Sequence, residues 1–263
     1  MRSAAAALAC LRVPVSTMAA ANKAAAAQPA IELLADRTER AVVHTDKLEW
    51  TPSPSAGVYR RMIERSGGEV ARATTIVRFD PHRRFSRHTH SGGEEFLVLD
   101  GVWRDDYGAF PVGSYVRNYI GSGHTPHIGE EGCTIFVKLR QMDPAVVEPE
   151  TRAWSTAPDA KGWGLGGPGR HVLPLHESAN EKVSLERWAP LTTATVQYPD
   201  RGEELLVLEG ELTDTDAAEG GVHYPRRTWA RHPAALAGQE VTRSAGPGGA
   251  LVWFKRHHLN SAE

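Results

Sequence analysis

The sequence is poor in cysteine: Cys10 and Cys133 are the two among 263 residues. Two cysteines exclude a framework of several disulfides and a zinc site built from several thiolates. Cys133 opens an apolar stretch, which favours a buried small side chain. The chain also lacks a basic block, because its 30 Lys and Arg residues are dispersed among 32 Asp and Glu residues. A nucleic-acid interface therefore has no electrostatic basis here.

Long apolar runs and two common catalytic motifs are missing as well. No apolar stretch reaches the ~20 residues that a membrane-spanning helix needs, so we expect no membrane contact. The glycines of residues 162–169 do not lie between a strand and a helix, so they do not indicate a phosphate-binding loop. A Gly-x-Ser-x-Gly nucleophile elbow is absent too. Nucleotide-binding and serine-hydrolase chemistry are thus not supported.

The first 30 residues differ in composition from the rest of the chain. They are rich in Ala, contain three basic residues, and precede the first acidic residue, Glu32. A basic, acid-free leader of this kind is typical of an organelle transit peptide, so we predict a mitochondrial or chloroplast protein, and otherwise a cytoplasmic one. Two alternatives stay open. The leader could be a disordered Ala-rich extension or the result of a start site placed upstream of Met18, or it could be a secretory signal built on residues 4–10.

An internal repeat follows the leader. Residues Gly93–Gly101 read GEEFLVLDG and residues Gly202–Gly210 read GEELLVLEG, at an offset of 109 residues. The same offset pairs Phe79 with Trp188. The chain therefore contains two copies of one unit. Further matches occur in the same order, namely Pro111–Asn118 with Pro225–His232 and Ile135–Lys138 with Val252–Lys255.

Each copy is a series of short apolar runs rich in β-branched and aromatic residues and separated by Gly, Pro and Asp. This pattern predicts an all-β sandwich or barrel. A short helix is the one exception we expect, at residues 31–40. The predicted division is a leader over residues 1–30, a first unit over 31–148, a linker over 149–169 and a second unit over 170–258.

A candidate metal site lies in the first unit, where residues 88–94 read His-Thr-His-Ser-Gly-Gly-Glu. Residues two apart in a strand share a face, so His88 and His90 point the same way. Gly92 and Gly93 permit a tight reversal, which returns Glu94 beside the two imidazoles. The spacing therefore predicts three ligands from one hairpin.

A fourth ligand is expected from a turn-rich segment 30 residues further on. Residues 121–127 supply His124, which we favour, and His127 as the alternative. Glu94 is favoured over Glu95, because Glu95 faces the other side of the strand. Three imidazoles and one carboxylate suit Zn, Fe, Mn, Ni or Cu, and they leave a coordination position open for substrate or water.

Five motifs of the first unit give a family resemblance: Arg78–Pro81, His88–Trp103, Pro111–Asn118, Gly123–Pro126 and Glu131–Gln141. Over Val70–Gln141 the chain resembles the cupins, and more narrowly the cupin-like domain at the C terminus of ChrR anti-sigma factors. The resemblance implies two tandem cupin barrels of the double-stranded β-helix, or jelly-roll, type. It also implies one divalent metal ion (Fe, Zn or Mn) held by the ligand set His88, His90, Glu94 and His124.

The resemblance suggests two classes of function. Stand-alone relatives are dioxygenase-like and include proteins that cleave hydroxylated acetophenones or diketones, so we expect an enzyme that acts on a small diketone or hydroxyketone. The alternative is a non-enzymatic metal-binding sensor. An anti-sigma role is not supported, because Cys10 and Cys133 alone cannot supply the zinc module of ChrR proteins. The resemblance also raises the expectation of a homodimer, and no organic cofactor is implied.

The second copy departs from this ligand pattern. A single retained carboxylate cannot hold a metal ion, so we expect the second barrel to be structural. At the repeat offset, His88 becomes Gln197, His90 becomes Pro199, Glu94 becomes Glu203, and the position of His124 falls near Gly238.

Glu95, Tyr115 and Arg117 are the residues we predict around the metal ligands. Two observations favour other roles for them. Tyr115 also suits strand packing, and Arg117 recurs as Arg231 in the copy without ligands, which favours a structural salt bridge.

Overall fold

The computed structural model describes residues 29–145, 162–216 and 220–259. The predicted leader lies almost wholly outside these residues, and so do residues 149–161 of the predicted linker. Within the described ranges the chain forms strands and two single-turn 3-10 helices, with no α-helix. No helix among them is long and apolar enough to cross a membrane. The all-β prediction is confirmed.

The first unit forms an eight-stranded sheet and a small two-stranded sheet. Its strands are β1 (Ile31–Leu33), β2 (Ala41–His44), β3 (Thr51–Pro52), β4 (Val58–Gly67), β5 (Ala71–Phe79), β6 (His88–Thr89), β7 (Glu94–Asp105), β8 (Gly108–Pro111), β9 (Tyr115–Asn118), β10 (Gly123–His124) and β11 (His127–Leu139). The large sheet has the order β1-β4-β5-β11-β7-β8, β3 pairs with β4, and β9 pairs with β7. Strands β6 and β10 form the small sheet.

The second unit repeats this arrangement in a nine-stranded sheet. Its strands are β12 (Gly164–Gly167), β13 (Arg170–Glu177), β14 (Lys182–Trp188), β15 (Thr193–Gln197), β16 (Glu203–Asp216), β17 (Gly220–Pro225), β18 (Thr228–His232) and β19 (Glu240–Arg256). The order is β12-β13-β14-β19-β16-β18-β2, β15 pairs with β19, and β17 pairs with β16. The short runs of the two sequence copies therefore become two antiparallel barrels.

Strand β2 departs from the predicted division of the chain. Residues 41–44 fall within the first predicted unit, but they pair with β18 of the second sheet, with Val43 opposite Trp229. The N-terminal segment thus covers an edge of the second barrel, whose backbone groups would otherwise be unpaired. The outer boundaries of the two units stay a prediction.

The short helix expected at residues 31–40 is wrong. Residues 31–33 form β1, which pairs with β4. A turn follows, in which Asp36 Oδ1 accepts hydrogen bonds from the backbone N–H of Thr38 at 2.8 Å and from its hydroxyl at 2.6 Å. Aspartate side chains that bond nearby backbone groups compete with helix formation.

Strand β7 shows how the strand period builds two cores at once. Phe96 and Val98 point into the first barrel, where they join its interior core. Leu97 and Leu99 point to the other face and join a core shared by both barrels. Because both faces are buried, the strand has a nearly continuous apolar run. The second barrel repeats the division, with Leu205 and Val207 inside and Leu206 and Leu208 in the shared core.

A glycine bulge recurs at the same point in each barrel. Gly101 and Gly210 have φ values of 68° and 65°. A Cβ atom at either position would collide with a backbone carbonyl, that of Gly132 in the first barrel and Gly249 in the second. The bulges bend the long central strands, so both copies need glycine there.

Candidate metal centre

Three histidines meet on the small two-stranded sheet of the first barrel. His88 lies directly opposite His124, because β6 and β10 pair in that register. His90 follows two residues after His88, on the same face. The ring centroids of the three imidazoles lie 4.8–5.0 Å apart. One nitrogen from each ring lies within 4.8 Å of the others, so the group could hold a metal ion.

Glu94 approaches this group from the start of β7. Its Oε2 atom lies 3.6 Å from Nε2 of His90 and 3.9 Å from Nε2 of His124. The reversal that brings it there uses Gly93, with φ 74°, and Gly92, where a Cβ atom would lie 2.7 Å from the Cβ of Arg140. The turn therefore needs both glycines, as the sequence predicts.

Hydrogen bonds to the outer ring nitrogens set the orientation of two imidazoles. Nδ1 of His124 lies 2.9 Å from Oδ2 of Asp105, and Nδ1 of His88 lies 3.1 Å from the carbonyl oxygen of Ser86. Both partners are acceptors, so each Nδ1 carries the proton. The Nε2 lone pairs of His124 and His88 are then available for a metal ion, and this tautomer is the one that carboxylate–histidine–metal sites use.

The electrostatics of the site favour a neutral imidazole at His90 and an ionised carboxylate at Asp105. Burial lowers the pKa of His90, and the neighbouring His124 and His88 lower it further, against the attraction of Glu94. Burial raises the pKa of Asp105, but the hydrogen bond from His124 and those from Tyr107 and Trp103 hold it below its ordinary value. Metal ligation requires these protonation states.

The structure also separates the alternatives that the sequence left open. His127 begins β11 opposite Arg104 and lies outside the three-histidine group. Glu95 faces away from the histidines, as alternation along β7 requires. His88, His90, Glu94 and His124 are therefore the four side chains brought together, and their binding of a metal ion stays a prediction.

The expectation that Glu95, Tyr115 and Arg117 surround the metal ligands is corrected. All three lie on the opposite face of the sheet, where Tyr115 donates to Glu95 at 2.5 Å and Arg117 donates to it at 3.0 Å. Two residues of the second barrel complete this cluster. Lys255 bonds Glu95, and Glu181 accepts from Arg117 at 2.5 Å.

A second cluster of ion pairs joins the two barrels, with the equivalent residues contributed by the opposite barrel. Lys138 of the first barrel bonds Glu204 of the second at 2.5 Å, and Arg231 bonds Glu64. Lys138 and Lys255 occupy equivalent positions in the repeat, as do Arg117 and Arg231. The retained arginine thus forms a structural ion pair between the barrels, which was the alternative favoured by its recurrence.

Asp105 and Asn118 are site residues that the sequence reasoning missed. Asp105 orients His124, and Asn118 donates to Oε2 of Glu94 at 2.8 Å. One signal was available for Asp105, because Asp214 occupies its place at the repeat offset of 109 residues. Asn118 has no such signal, since the equivalent position in the second barrel is His232.

The second barrel fills the corresponding place with a guanidinium group. Gln197 pairs with Glu240, the counterpart of the His88–His124 pair, so the equivalent of His124 is Glu240, two residues from the position expected near Gly238. Glu203 retains the position of Glu94 and bonds the buried Arg243, which also donates to Asp214 at 3.1 Å. Within the described residues, the three-histidine group is the one cluster suited to a metal ion.

A cavity of about 220 Å³ extends from His88 and Glu94 into the first barrel. His88 and Glu94 form part of its wall. Most of the remaining wall is apolar, and it includes three aromatic rings, one in the interior core and two packed against it. Arg60 and Arg65 add charge to the lining. The main apolar contributors are Val77, Phe79, Phe85, Trp103, Ile135 and Val137.

Comparisons with known proteins agree with this geometry. The family model described as the ChrR Cupin-like domain matches residues 38–143. No curated protein gives a significant sequence match. The tandem-cupin fold predicted from the sequence is confirmed by solved structures.

Three of these structures cover most of the chain. A candidate dioxygenase from Nostoc punctiforme superposes with a TM-score of 0.62 at 15% identity, over 86% of this chain and 85% of its own. The protein YlbA from E. coli gives 0.62 at 13% identity, over 89% and 96%. Oxalate decarboxylase from Lactobacillus farciminis, solved as a formate complex, gives 0.58 at 8% identity, over 82% and 86%. At these identities the likeness shows the fold.

Proposed function

We propose that the first barrel, which matches the ChrR cupin-like family model over residues 38–143, holds one divalent metal ion (Fe, Mn or Zn) on His88, His90, Glu94 and His124. The observation that carries this proposal is the orientation of the imidazoles. Asp105 and the carbonyl of Ser86 occupy the outer nitrogens of His124 and His88, which leaves the Nε2 atoms for a cation. Asn118 holds Glu94 in place at 2.8 Å.

We further propose that this centre belongs to a dioxygenase-like enzyme that acts on a small oxygenated molecule such as a diketone or hydroxyketone. The cavity supports this function, because it places an apolar chamber of about 220 Å³ beside two of the ligands. Ligand pockets for drug-sized molecules span roughly 300–1,000 Å³, so this chamber suits a smaller substrate. Its apolar wall would contact a hydrocarbon or aryl body, while the ketone oxygens face the polar end.

The metal ion would supply a Lewis-acidic position at which the substrate oxygens are polarised. The protein residues would orient the substrate and exclude water. Phe79 and Phe85 line the chamber and would contact the apolar part of the substrate. Trp103 lies 5.9 Å from the ring of His124 and donates to Asp105 at 3.1 Å. It therefore connects the chamber wall to Asp105, the residue that orients His124.

Metal analysis tests the first part of the proposal. The wild-type protein should contain about one Fe, Mn or Zn per chain, whereas His90→Ala and His124→Ala should lose at least ~99% of the metal affinity, because each removes one of the four ligands that bind the ion directly. His127→Ala is the matched control, since His127 is a nearby histidine outside the group. Metal retained in both ligand variants would disprove the assignment.

Oxygen uptake tests the enzyme. An iron-loaded protein given a β-diketone or a hydroxyketone should consume one O₂ per substrate cleaved, with both oxygen atoms found in the products. The His127→Ala variant should retain this activity and His124→Ala should not. If the protein holds tightly bound zinc and no candidate substrate promotes turnover, the enzyme proposal fails, and a metal-binding sensor becomes the better description.

A further inference from the structure

A second cavity lies between the two barrels and has no role in the function proposed above. Its volume is about 340 Å³. The first barrel contributes Arg72 and the residues that follow β11, and the second contributes Asn180 and Glu181 from the turn before β14. Arg37, from the segment that links β1 to β2, closes another side. The cavity thus depends on both barrels, and ligand sites are common at such junctions.

Three guanidinium groups line this cavity without a carboxylate partner in the described part of the chain. Arg37 donates to the carbonyl oxygen of His258 at 2.9 Å, and Arg72 donates to that of Ala35 at 3.2 Å. Arg140 donates to the hydroxyl of Ser91 at 2.6 Å. None of the three forms an ion pair with a described Asp or Glu, and Nε of Arg37 is buried without a hydrogen-bond acceptor among those residues.

Two acidic side chains line the cavity, and among the described residues Glu181 is paired with cations whereas Asp143 is hydrogen-bonded to neutral groups. Glu181 lies 2.6 Å from Lys255 and 2.5 Å from Arg117, so its charge is compensated. Asp143 accepts hydrogen bonds from the side chain of Asn180 and from the backbone N–H of Ala145.

Arg37 has charges of both signs around it. Burial lowers the pKa of Arg37, and its neighbours Arg72 and Arg231 lower it further, against the more favourable charges of Glu204 and Glu64. Those two carboxylates are themselves paired, Glu204 with Lys138 and Glu64 with Arg231. A partly buried guanidinium without an ion-pair partner is costly, and a bound anion would reduce that cost.

We propose that this cavity is a binding site for a small anion that carries a carboxylate or phosphate group. Arginine suits both groups, since its planar fork of N–H donors matches two acceptor oxygens. Arg37 and Arg72 would hold the anion from inside the cavity. Arg140, which is exposed at the rim, would attract it from solvent.

Calorimetric titration with inorganic phosphate and, separately, with malonate tests the proposal and distinguishes the two chemistries. The wild-type protein should bind at least one of them saturably, and sodium chloride at equal ionic strength should not reproduce the heat. Because an anion could also bind at the metal centre, the decisive measurement uses variants. Arg37→Gln and Arg72→Gln should each weaken binding about tenfold or more, the loss expected for one charge-assisted hydrogen bond.

Arg104→Gln is the matched control, because Arg104 is an exposed arginine paired with Glu131 at 2.7 Å. It should bind the anion with wild-type affinity. Should either buried-site variant fail to fold, Arg140→Gln removes the rim charge at an exposed position and should still weaken binding. The proposal is overturned if neither anion binds, or if the cavity variants bind as the wild type and Arg104→Gln do.

Discussion

The two barrels place carboxylates at equivalent positions but surround them with different cationic groups. Glu94 and Asp105 of the first barrel correspond to Glu203 and Asp214 of the second, at the offset of 109 residues. In the first barrel, Asp105 accepts from an imidazole and Glu94 lies beside two. In the second barrel, both carboxylates bond Arg243.

Further polar contacts close the second site. Arg256 donates to Glu203 at 3.0 Å, and Nδ1 of His232 lies 3.2 Å from the same carboxylate. Nε2 of His232 meets the hydroxyl of Tyr224 at 3.1 Å. Burial raises the pKa of Glu203, but Arg243, His232 and Arg256 hold it well below the ordinary value. A carboxylate held so firmly in ion pairs is not available to a metal ion.

This difference explains how a barrel can lack a metal site and keep its fold. Buried carboxylates cannot remain charged without compensation, so loss of the histidines requires another cation in their place. The guanidinium of Arg243 is permanently charged and can bond both carboxylates. The second barrel is thus a stable support for the first, to which it is joined by the reciprocal pairs Lys138–Glu204 and Lys255–Glu95.

Replacement of Arg243 should destabilise the protein more than the other substitutions proposed below. Arg243→Met leaves Glu203 and Asp214 buried without their main cation, so we expect it to lower the free energy of unfolding by about 3–5 kcal/mol. Urea denaturation followed by circular dichroism measures this change. Arg104→Met, at an exposed ion pair, should cost less than about 1 kcal/mol.

A double variant separates lost charge from lost packing. Glu203→Gln combined with Arg243→Met removes one of the uncompensated carboxylates, so it should recover part of the stability that Arg243→Met loses. If the double variant is less stable than Arg243→Met alone, the guanidinium acts through packing, and its role as a substitute cation is refuted.

Acid pH should destabilise the second barrel through His258. This residue corresponds to Gln141 of the first barrel and lies 2.9 Å from Oε1 of Glu204. Burial, with Lys255 and Lys138 nearby, lowers the pKa of His258 to about 4, against the attraction of Glu204. The unfolded chain, with a pKa near 6.5, binds the proton first. Stability should therefore fall as the pH drops from about 6.5 to about 4, by up to about 3 kcal/mol.

His258→Gln tests this prediction, since it introduces the residue that the first barrel uses at the same place. Urea unfolding from pH 7.5 to pH 4.5 gives the difference in stability between wild type and variant. That difference should change with pH in favour of the variant as the medium becomes more acidic. A difference that is constant over the range would show that His258 does not titrate there.

Local sequence periodicity was sufficient to predict the hairpin that carries the ligands. His88, His90 and Glu94 fall within seven residues, so strand alternation and the Gly92–Gly93 reversal determine how they face one another. The repeat likewise predicted two tandem barrels, which the structural matches confirm. The first inference depends on residues that are close together in the sequence, and the second depends on a repeated sequence motif.

The residues that support the site depend on longer-range register. Asn118 lies opposite Glu94 because β9 pairs with β7, and Asp105, at the other end of β7, bonds His124. No local sequence pattern indicates these contacts. The role of Arg243 could be predicted in part, since Arg243 lies two residues from both Val241 and Ala245 and therefore shares their buried face of β19. A charged residue on an inward face indicates a buried partner, but the identity of that partner follows from the fold.

Replacement of the equivalent aspartates, Asp105 and Asp214, compares the two barrels directly. Its expected effect is smaller than those of the Arg243 and His258 substitutions. Asp105→Asn can present its amide group to Nδ1 of His124 and so favour the wrong tautomer, which should weaken metal binding about 10- to 100-fold. Asp214→Asn should leave metal affinity unchanged, because Asp214 contacts Arg243 and no metal ligand. Competition for zinc against a chromophoric chelator measures both affinities. If the two variants lose affinity equally, the carboxylates do not have separate roles in the two barrels.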